Sequence, residues 1–337
     1  MRYRQLPGTD VSISEVGFGT GDNAGGLVYA ETAQQIALVE RALELGVNFF
    51  DSSPDYGKGL GEANLGRILR DLGAHDAMIA TKVEIMPEEM HRVGAKVEQS
   101  INDSLLRLRR DHVHFLLLHN PSRSVADPSI RVWTPLPPEV ILGEVVPAMQ
   151  RARQAGKVGR LGLACERADS ASVRTLLDTG LFSLAHMWFN LANPSVARPV
   201  DGLPANERYD GFFDAARDNG VAVGVIRPLA GGALTSTIAH QGAQGRHPVS
   251  GGYYRDHPEQ LEPERVRGAR FVGLDRPDRP LSAAALSYVL SRPEVTTIVG
   301  GFSDVAHLEE AAAVSDTPAL SADELAEIDR LHSVGFG

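Results

Sequence analysis

Eight short apolar runs recur along the chain, at 16–20, 47–51, 78–82, 113–119, 160–164, 184–190, 221–227 and 296–300, with helix-patterned stretches between them. Several of the runs are continuously apolar, the pattern of parallel strands covered on both faces. Strand–helix alternation from end to end implies a parallel sheet joined by crossover helices. Eight such units predict an α/β chain closed into a (β/α)₈ barrel, one domain over residues 1–337. Helices are expected at 61–72, 92–109, 139–156, 169–179, 207–219, 281–291 and 304–314. Another begins near Thr32, where Gln35 completes a capping box and Ile36, Val39 and Leu43 share a face before Gly46. An extra carboxyl-terminal helix is expected at 321–333, opened by a Ser321/Glu324 box. Before the first unit, RYRQLPGTDVSISE places Pro7-Gly8-Thr9-Asp10 between two strand-like pieces, a β-hairpin that closes the barrel floor.

Composition removes several functional classes. With 33 basic and 43 acidic residues, the net charge of −10 and the lack of a basic stripe argue against nucleic acid as a partner. One cysteine, Cys165, excludes an internal disulfide framework and fits a reducing compartment. The amino terminus has no secretory pattern, and no apolar run approaches the ~20 residues of a membrane span. The expectation is a cytoplasmic protein acting on a small molecule, away from membranes.

Polar residues punctuate the ends of consecutive strands. Asp51 ends NFFD, Lys82 ends MIATK, His119 ends VHFLLLH, and Tyr56 lies in the loop just after Asp51. In a parallel barrel those ends converge on one mouth. A phenol, with its ordinary pKa near 10, gives a proton but recovers it poorly at neutral pH. An ammonium beside it is expected to pull that pKa down, a carboxylate holds the ammonium, and an imidazole orients a carbonyl oxygen. This apparatus suits carbonyl reduction, and because no side chain donates hydride, a nicotinamide cofactor is required. PLAGGALT (228–235) and IVGGFS (298–303) follow strands and offer glycine-rich loops for its phosphates. No G-x-G-x-x-G follows a first strand, so a Rossmann site is not expected. Three long connections, 120–138, 191–206 and 231–278, belong on the same face. Trp133, in the first, either lines the substrate pocket with Tyr56 and His119, the favoured reading, or only pins a proline-rich loop. The Arg and His residues of 246–270 read as a solvated loop.

The motifs VGFGT (16–20), NFFDSSPDYGKGLGEANLG (48–66), ATK (80–82), LLLHNP (116–121), GKVGRLGLA (156–164), FNL (189–191), PLAGGALT (228–235) and IVGGFSDVAHLEE (298–310) together resemble the aldo-keto reductase family over nearly the full length. The resemblance implies a catalytic set of Asp51, Tyr56, Lys82 and His119, and NADP(H) or NAD(H) lying across the barrel mouth. It implies cofactor contacts at Gly19, Thr20, Asp51, Cys165, His186, Arg227, Pro228, Leu229, Gly231, Gly300, Gly301, Ser303, Glu309 and Glu310, with no metal. The chain departs from the family pattern after strand five, where Ala164-Cys165 replace Ser-Asn. His186 stands for a Gln, and Ile226-Arg227 for an aromatic and a small polar residue. Gly300 and Ala306 occupy places where basic residues grip a 2′-phosphate, and Glu309 and Glu310 make that neighbourhood negative. This disfavours selectivity for NADP(H) unless Arg265, Arg267 or Arg270 supplies the missing charge.

Singly, each residue has a plainer reading: Asp51 as a turn cap, Tyr56 as loop packing, His119 as a core histidine, Cys165 as a packed thiol. Their joint occurrence at matched strand ends favours the catalytic reading. Two rivals stand beside it. A metal-dependent hydrolase would use Asp51, His119 and His186 as ligands and leave Tyr56 and Lys82 idle. A nicotinamide-binding sensor would bind cofactor with little turnover.

Overall fold

In the computed structural model, residues 1–336 are described apart from 126, 128–129, 131–133 and 238–257. Eight parallel strands close a barrel: β3 (Val16–Gly19), β4 (Phe49–Asp51), β5 (Met78–Val83), β6 (Val113–Leu118), β7 (Val158–Ala164), β8 (Leu184–Trp188), β9 (Ala222–Ile226) and β10 (Val295–Gly301). Each pairs with its neighbour in chain order, and β10 returns to β3 with Ile298 opposite Val16 and Gly301 opposite Gly19. The expected hairpin is present: β1 (Tyr3–Gln5) runs antiparallel to β2 (Ser12–Ser14). Its Leu6 and Ile13 pack with Phe49, Met78, Phe115, Leu184 and Ala222, all near the amino ends of barrel strands. Phe49 and Phe115 meet edge to face at 5.9 Å. The floor is therefore a dry apolar plug, which leaves the opposite end for polar groups.

The outer ring comprises α1 (Thr32–Glu44), α2 (Leu60–Asp71), α3 (Val93–Leu108), α4 (Val146–Gln154), α5 (Ser170–Leu177), α6 (Phe212–Asp218), α7 (Glu262–Gly268), α8 (Leu281–Leu290), α9 (Val305–Ala313) and α10 (Ala322–Ser333). Helix α8 is buried on every face, as its all-round apolar sequence requires. Helices α2 and α3 touch through Gly66, where a Cβ would lie 2.4 Å from the backbone of Leu108. The Ser321/Glu324 box is present at α10.

Several local expectations are corrected. The box opening α1 is Glu31 with Gln34, one residue early, and the buried stripe is Gln35, Leu38, Val39 and Ala42, with Ile36 and Leu43 only half-buried. The helix expected at 207–219 begins only at Phe212, because Arg208 is extended and Gly211 takes φ +80°. The helix expected at 139–156 is interrupted by a π turn at Ile141–Val145. Pro147 lacks the N–H that would bond back four residues, and the Val146 amide instead reaches the Ile141 carbonyl. Of the stretch 246–270 expected as a solvated loop, 246–257 lies outside the described residues, and in the remainder α7 stands instead: Arg267 is buried and bonds Glu207 at 2.9 Å.

Candidate active site

Strand pleating puts every second residue on one face. From the plug upward the inner face therefore reads Phe49, Asp51; Met78, Ala80, Lys82; Phe115, Leu117, His119; and Leu184, His186, Trp188. The apolar members fill the floor and the polar ones line the mouth. Asp51, Lys82, His119 and Tyr56 meet in one cavity of about 1660 Å³. That exceeds what a single drug-sized ligand requires and leaves room for a dinucleotide beside a substrate.

Lys82 is the hub. Its buried Nζ donates to Asp51 Oδ2 at 2.7 Å, to the Ser52 carbonyl at 2.8 Å and to Tyr56 Oη at 3.1 Å. Because the phenol oxygen accepts from Lys82, its own proton is free for a ligand oxygen. The loop that presents Tyr56 is bent by three consecutive left-handed residues, Gly57 (φ +57°), Lys58 (φ +55°) and Gly59 (φ +91°). Two are glycines, which take this conformation cheaply; Lys58 is held there at a cost, as backbones near functional sites often are. His119 lies edge-on to Tyr56, ring centroids 6.1 Å apart, with Nδ1 3.5 Å from Ser53 Oγ.

The electrostatics correct one expectation. Burial, then the carboxylates Asp51, Glu166, Asp55 and Asp22, hold the Tyr56 phenol well above its ordinary pKa. Lys82 does not reverse this, because Asp51 neutralises its charge at contact distance. The phenol is thus kept as a proton donor. Burial also pulls Lys82 down from the usual lysine range, against the opposing pull of Asp51. His119 is held well below the ordinary histidine range by burial and by Lys82, so its imidazole is neutral. Burial lowers His186 to about 4. Its Nδ1 lies 3.8 Å from Asp51 Oδ1, too far for a hydrogen bond and with no charge for an ion pair.

Of the residues expected at the cofactor, Gly19, Asp51, His186, Arg227, Pro228, Leu229, Gly231, Gly300, Gly301, Ser303 and Glu310 line this cavity. Thr20 does not; its hydroxyl is buried against Ser52 Oγ at 2.7 Å. Cys165 is likewise turned away. At and just past the end of β7, Ala164 and Glu166 line the cavity while Cys165 is buried in the core, where burial pushes its thiol up to about 12. Glu309 faces outward and bonds Arg41 at 2.7 Å. Arg227 adopts φ +54°, pairs with Glu264 on α7 at 2.5 Å and lies 4.6 Å over the Trp188 ring. Arg270 donates to the Gly335 carbonyl, and Arg265 pairs with Glu262 at 3.2 Å. Trp133 lies outside the described residues. Among the described residues no cluster of three or more His, Cys, Asp or Glu is placed to hold a metal ion. Likewise, no helix is long and apolar enough to cross a membrane.

Sequence reading missed Asp22, Glu84, Glu166, Trp188 and Glu264, all of which line the cavity. Three had a usable signal. Glu84, Glu166 and Trp188 each stand two residues beyond an inward-facing position: Lys82, Ala164 and His186. Asp22 and Glu264 had none, since loop path alone brings them in.

A closed eight-stranded barrel with a lysine-bonded phenol at its carboxyl mouth defines a barrel protein equipped to exchange a proton with a bound oxygen. The chain belongs to the Aldo/keto reductase family, whose model matches residues 15–333. It is 29% identical to L-galactose dehydrogenase of Arabidopsis thaliana, over 98% of this chain and 94% of that one. It is 24% identical to the NADH-specific methylglyoxal reductase of Escherichia coli, over 97% and 99%. The holo form of aldo-keto reductase AKR11C1 from Bacillus halodurans shares the fold with a TM-score of 0.70 at 22% identity, covering 99% of this chain and 97% of that one.

Proposed function

We propose that this chain interconverts an aldehyde or ketone with the corresponding alcohol, with nicotinamide as hydride carrier and Tyr56 as general acid and base. The observation that carries this reading is the Lys82 ammonium bonded at once to Asp51 and to the Tyr56 hydroxyl inside one cavity. The cavity has features that fit a nicotinamide dinucleotide. Both His186 ring nitrogens and Asp51 Oδ1 are buried there without a partner, ready for a polar ring substituent. Gly300 leaves a space that any Cβ would close against Phe302, and Gly231 (φ +62°) and Gly232 (φ +98°) bend the loop after β9 along the wall. When bound, the cofactor supplies or accepts the hydride.

Four side chains do the rest. Neutral His119 donates one N–H to orient a carbonyl oxygen. Tyr56, held as a phenol, delivers its proton to that oxygen as negative charge develops. Lys82 steadies the phenolate that remains, and Asp51 fixes Lys82. In the oxidative direction the same phenolate recovers the proton.

NAD(H) is accepted at least as well as NADP(H) in this reading. Glu310 on the cavity wall, bonded to Ser282, opposes a phosphate dianion, and Arg265, Arg267 and Arg270 have partners elsewhere. The test is an absorbance screen at the reduced-nicotinamide band, with both cofactors against a panel of aldehydes, ketones and sugars. Turnover of at least one carbonyl or alcohol supports the reading; cofactor binding without turnover of any would favour a sensor. A hundredfold affinity advantage for NADPH would overturn the NAD(H) assignment.

A further inference from the structure

Resting on the oxidoreductase reading, we propose that the pocket around Tyr56 selects an uncharged, polyhydroxylated carbonyl compound or its alcohol, of sugar type, and that Glu84 and Glu166 exclude anionic analogues.

The charge inventory of the cavity is lopsided. Three carboxylates have cations: Asp51 with Lys82 at 2.7 Å, Glu264 with Arg227 at 2.5 Å, and Glu207 with Arg167 at 3.3 Å and Arg267 at 2.9 Å. Asp22, Asp55, Glu84 and Glu166 line the same cavity as Tyr56, and none forms an ion pair among the described residues. Glu84 and Glu166 lie just past the carboxyl ends of β5 and β7, on the cavity wall at the mouth. The arginines on the wall, Arg167 and Arg227, are engaged by Glu207 and Glu264, so among the described residues a phosphate or carboxylate on the substrate would meet this negative wall with no unengaged cation opposite it.

Acidity alone excludes; a second observation says what is admitted. Trp188 lines the cavity at 2% exposure, and its indole N–H has no partner. An indole N–H can only donate and an ionised carboxylate can only accept. A ligand that satisfies both must accept from Trp188 and donate to the glutamates. A hydroxyl does both. A phosphate or carboxylate accepts but cannot donate when ionised, an ammonium donates but cannot accept, and an apolar chain leaves every one of these groups unpaired, which is costly in a buried site. Burial raises Glu166 and holds Glu84 up to about 7, so the charge of Glu84 is expressed above that pH and the comparison belongs at pH 8.

The experiment compares kcat/KM at pH 8 for an aldohexose, its hexuronate, its 6-phosphate and an apolar aldehyde of similar size, with the same cofactor. The aldohexose is expected to exceed both anions by roughly tenfold or more, the scale of one unscreened like-charge contact. Glu84→Gln and Glu166→Gln should each narrow the gap several-fold. Trp188→Phe should raise KM for the aldohexose more than for the apolar aldehyde. Calorimetric titration of the aldohexose and hexuronate against the protein, without turnover, should give the same order of affinity. Equal or better use of the hexuronate, the phosphate or the apolar aldehyde would overturn this proposal while leaving the oxidoreductase reading standing. Absence of turnover with every carbonyl would sink both.

Discussion

Replacing Lys82 by methionine keeps the length and volume of the side chain but removes a cation that is 2% exposed and bonds three oxygens. What it leaves behind sets the magnitude. Asp51, 3% exposed, is left with one oxygen newly bare and the other already without a partner. The Ser52 carbonyl loses its donor as well. Breaking a buried pair from one side costs about 3–5 kcal/mol, because an uncompensated charge remains in the interior. For 337 residues the unfolding entropy is about 0.7 kcal/mol per kelvin, so the melting temperature should fall by about 4–7 °C. The Asp51→Asn/Lys82→Met double variant removes the stranded charge and should recover about 2 kcal/mol of that loss. Urea unfolding of wild type, both single variants and the double closes the cycle. A Lys82→Met protein within about 1 kcal/mol of wild type, or a double variant no more stable than Lys82→Met, would refute the claim that this pair is a buried and mutually dependent unit.

Tyr56→Phe should lower kcat by about 10²–10⁴-fold while leaving cofactor affinity within a few-fold, since only the proton donor is lost; a variant that keeps most of its rate dismisses Tyr56 as the acid. The preference for an aldohexose over its hexuronate should grow between pH 6 and pH 8. Burial and Asp55 hold Glu84 up to about 7, with Lys96 opposing them and Glu89 adding to them, so Glu84 is neutral below that window and repels an anion above it. Titration of Tyr56 and His119 affects both substrates alike and cancels in the ratio; Glu84→Gln should flatten the dependence, and a wild-type ratio constant with pH would contradict this assignment. Gly66→Ala forces a Cβ to within 2.4 Å of the Leu108 backbone, which cannot swing aside as a side chain could. It should cost about 1–3 kcal/mol in urea unfolding, and a neutral result would mean that α2 and α3 are packed less closely than described.

Periodicity made the barrel legible. Strand and helix repeats are local properties of a chain, and eight alternations admit few closures. Those same strand repeats carried Asp51, Lys82 and His119 to the mouth, because an inward-facing residue at a strand's carboxyl end has nowhere else to go. Pleating applied two residues further would have reached Glu84, Glu166 and Trp188, and would have turned Cys165 away. The helix starts at Glu31 and Phe212 were harder. They depend on which backbone conformation wins at one residue, and composition says little about that.

Other features are properties of the assembled molecule. The raised Tyr56 pKa is a sum over burial and four carboxylates from three separate segments, whereas the lysine at the next strand end suggested the opposite sign. Arg227 meets Glu264, and Arg267 meets Glu207, across gaps of 37 and 60 residues. Such pairings follow the path of loops in space, which no local pattern encodes. The sequence thus determined where each strand would deliver its chemistry. Only tertiary packing decided the charge state in which that chemistry is held, because electrostatic energy depends on distance and burial instead of on order along the chain.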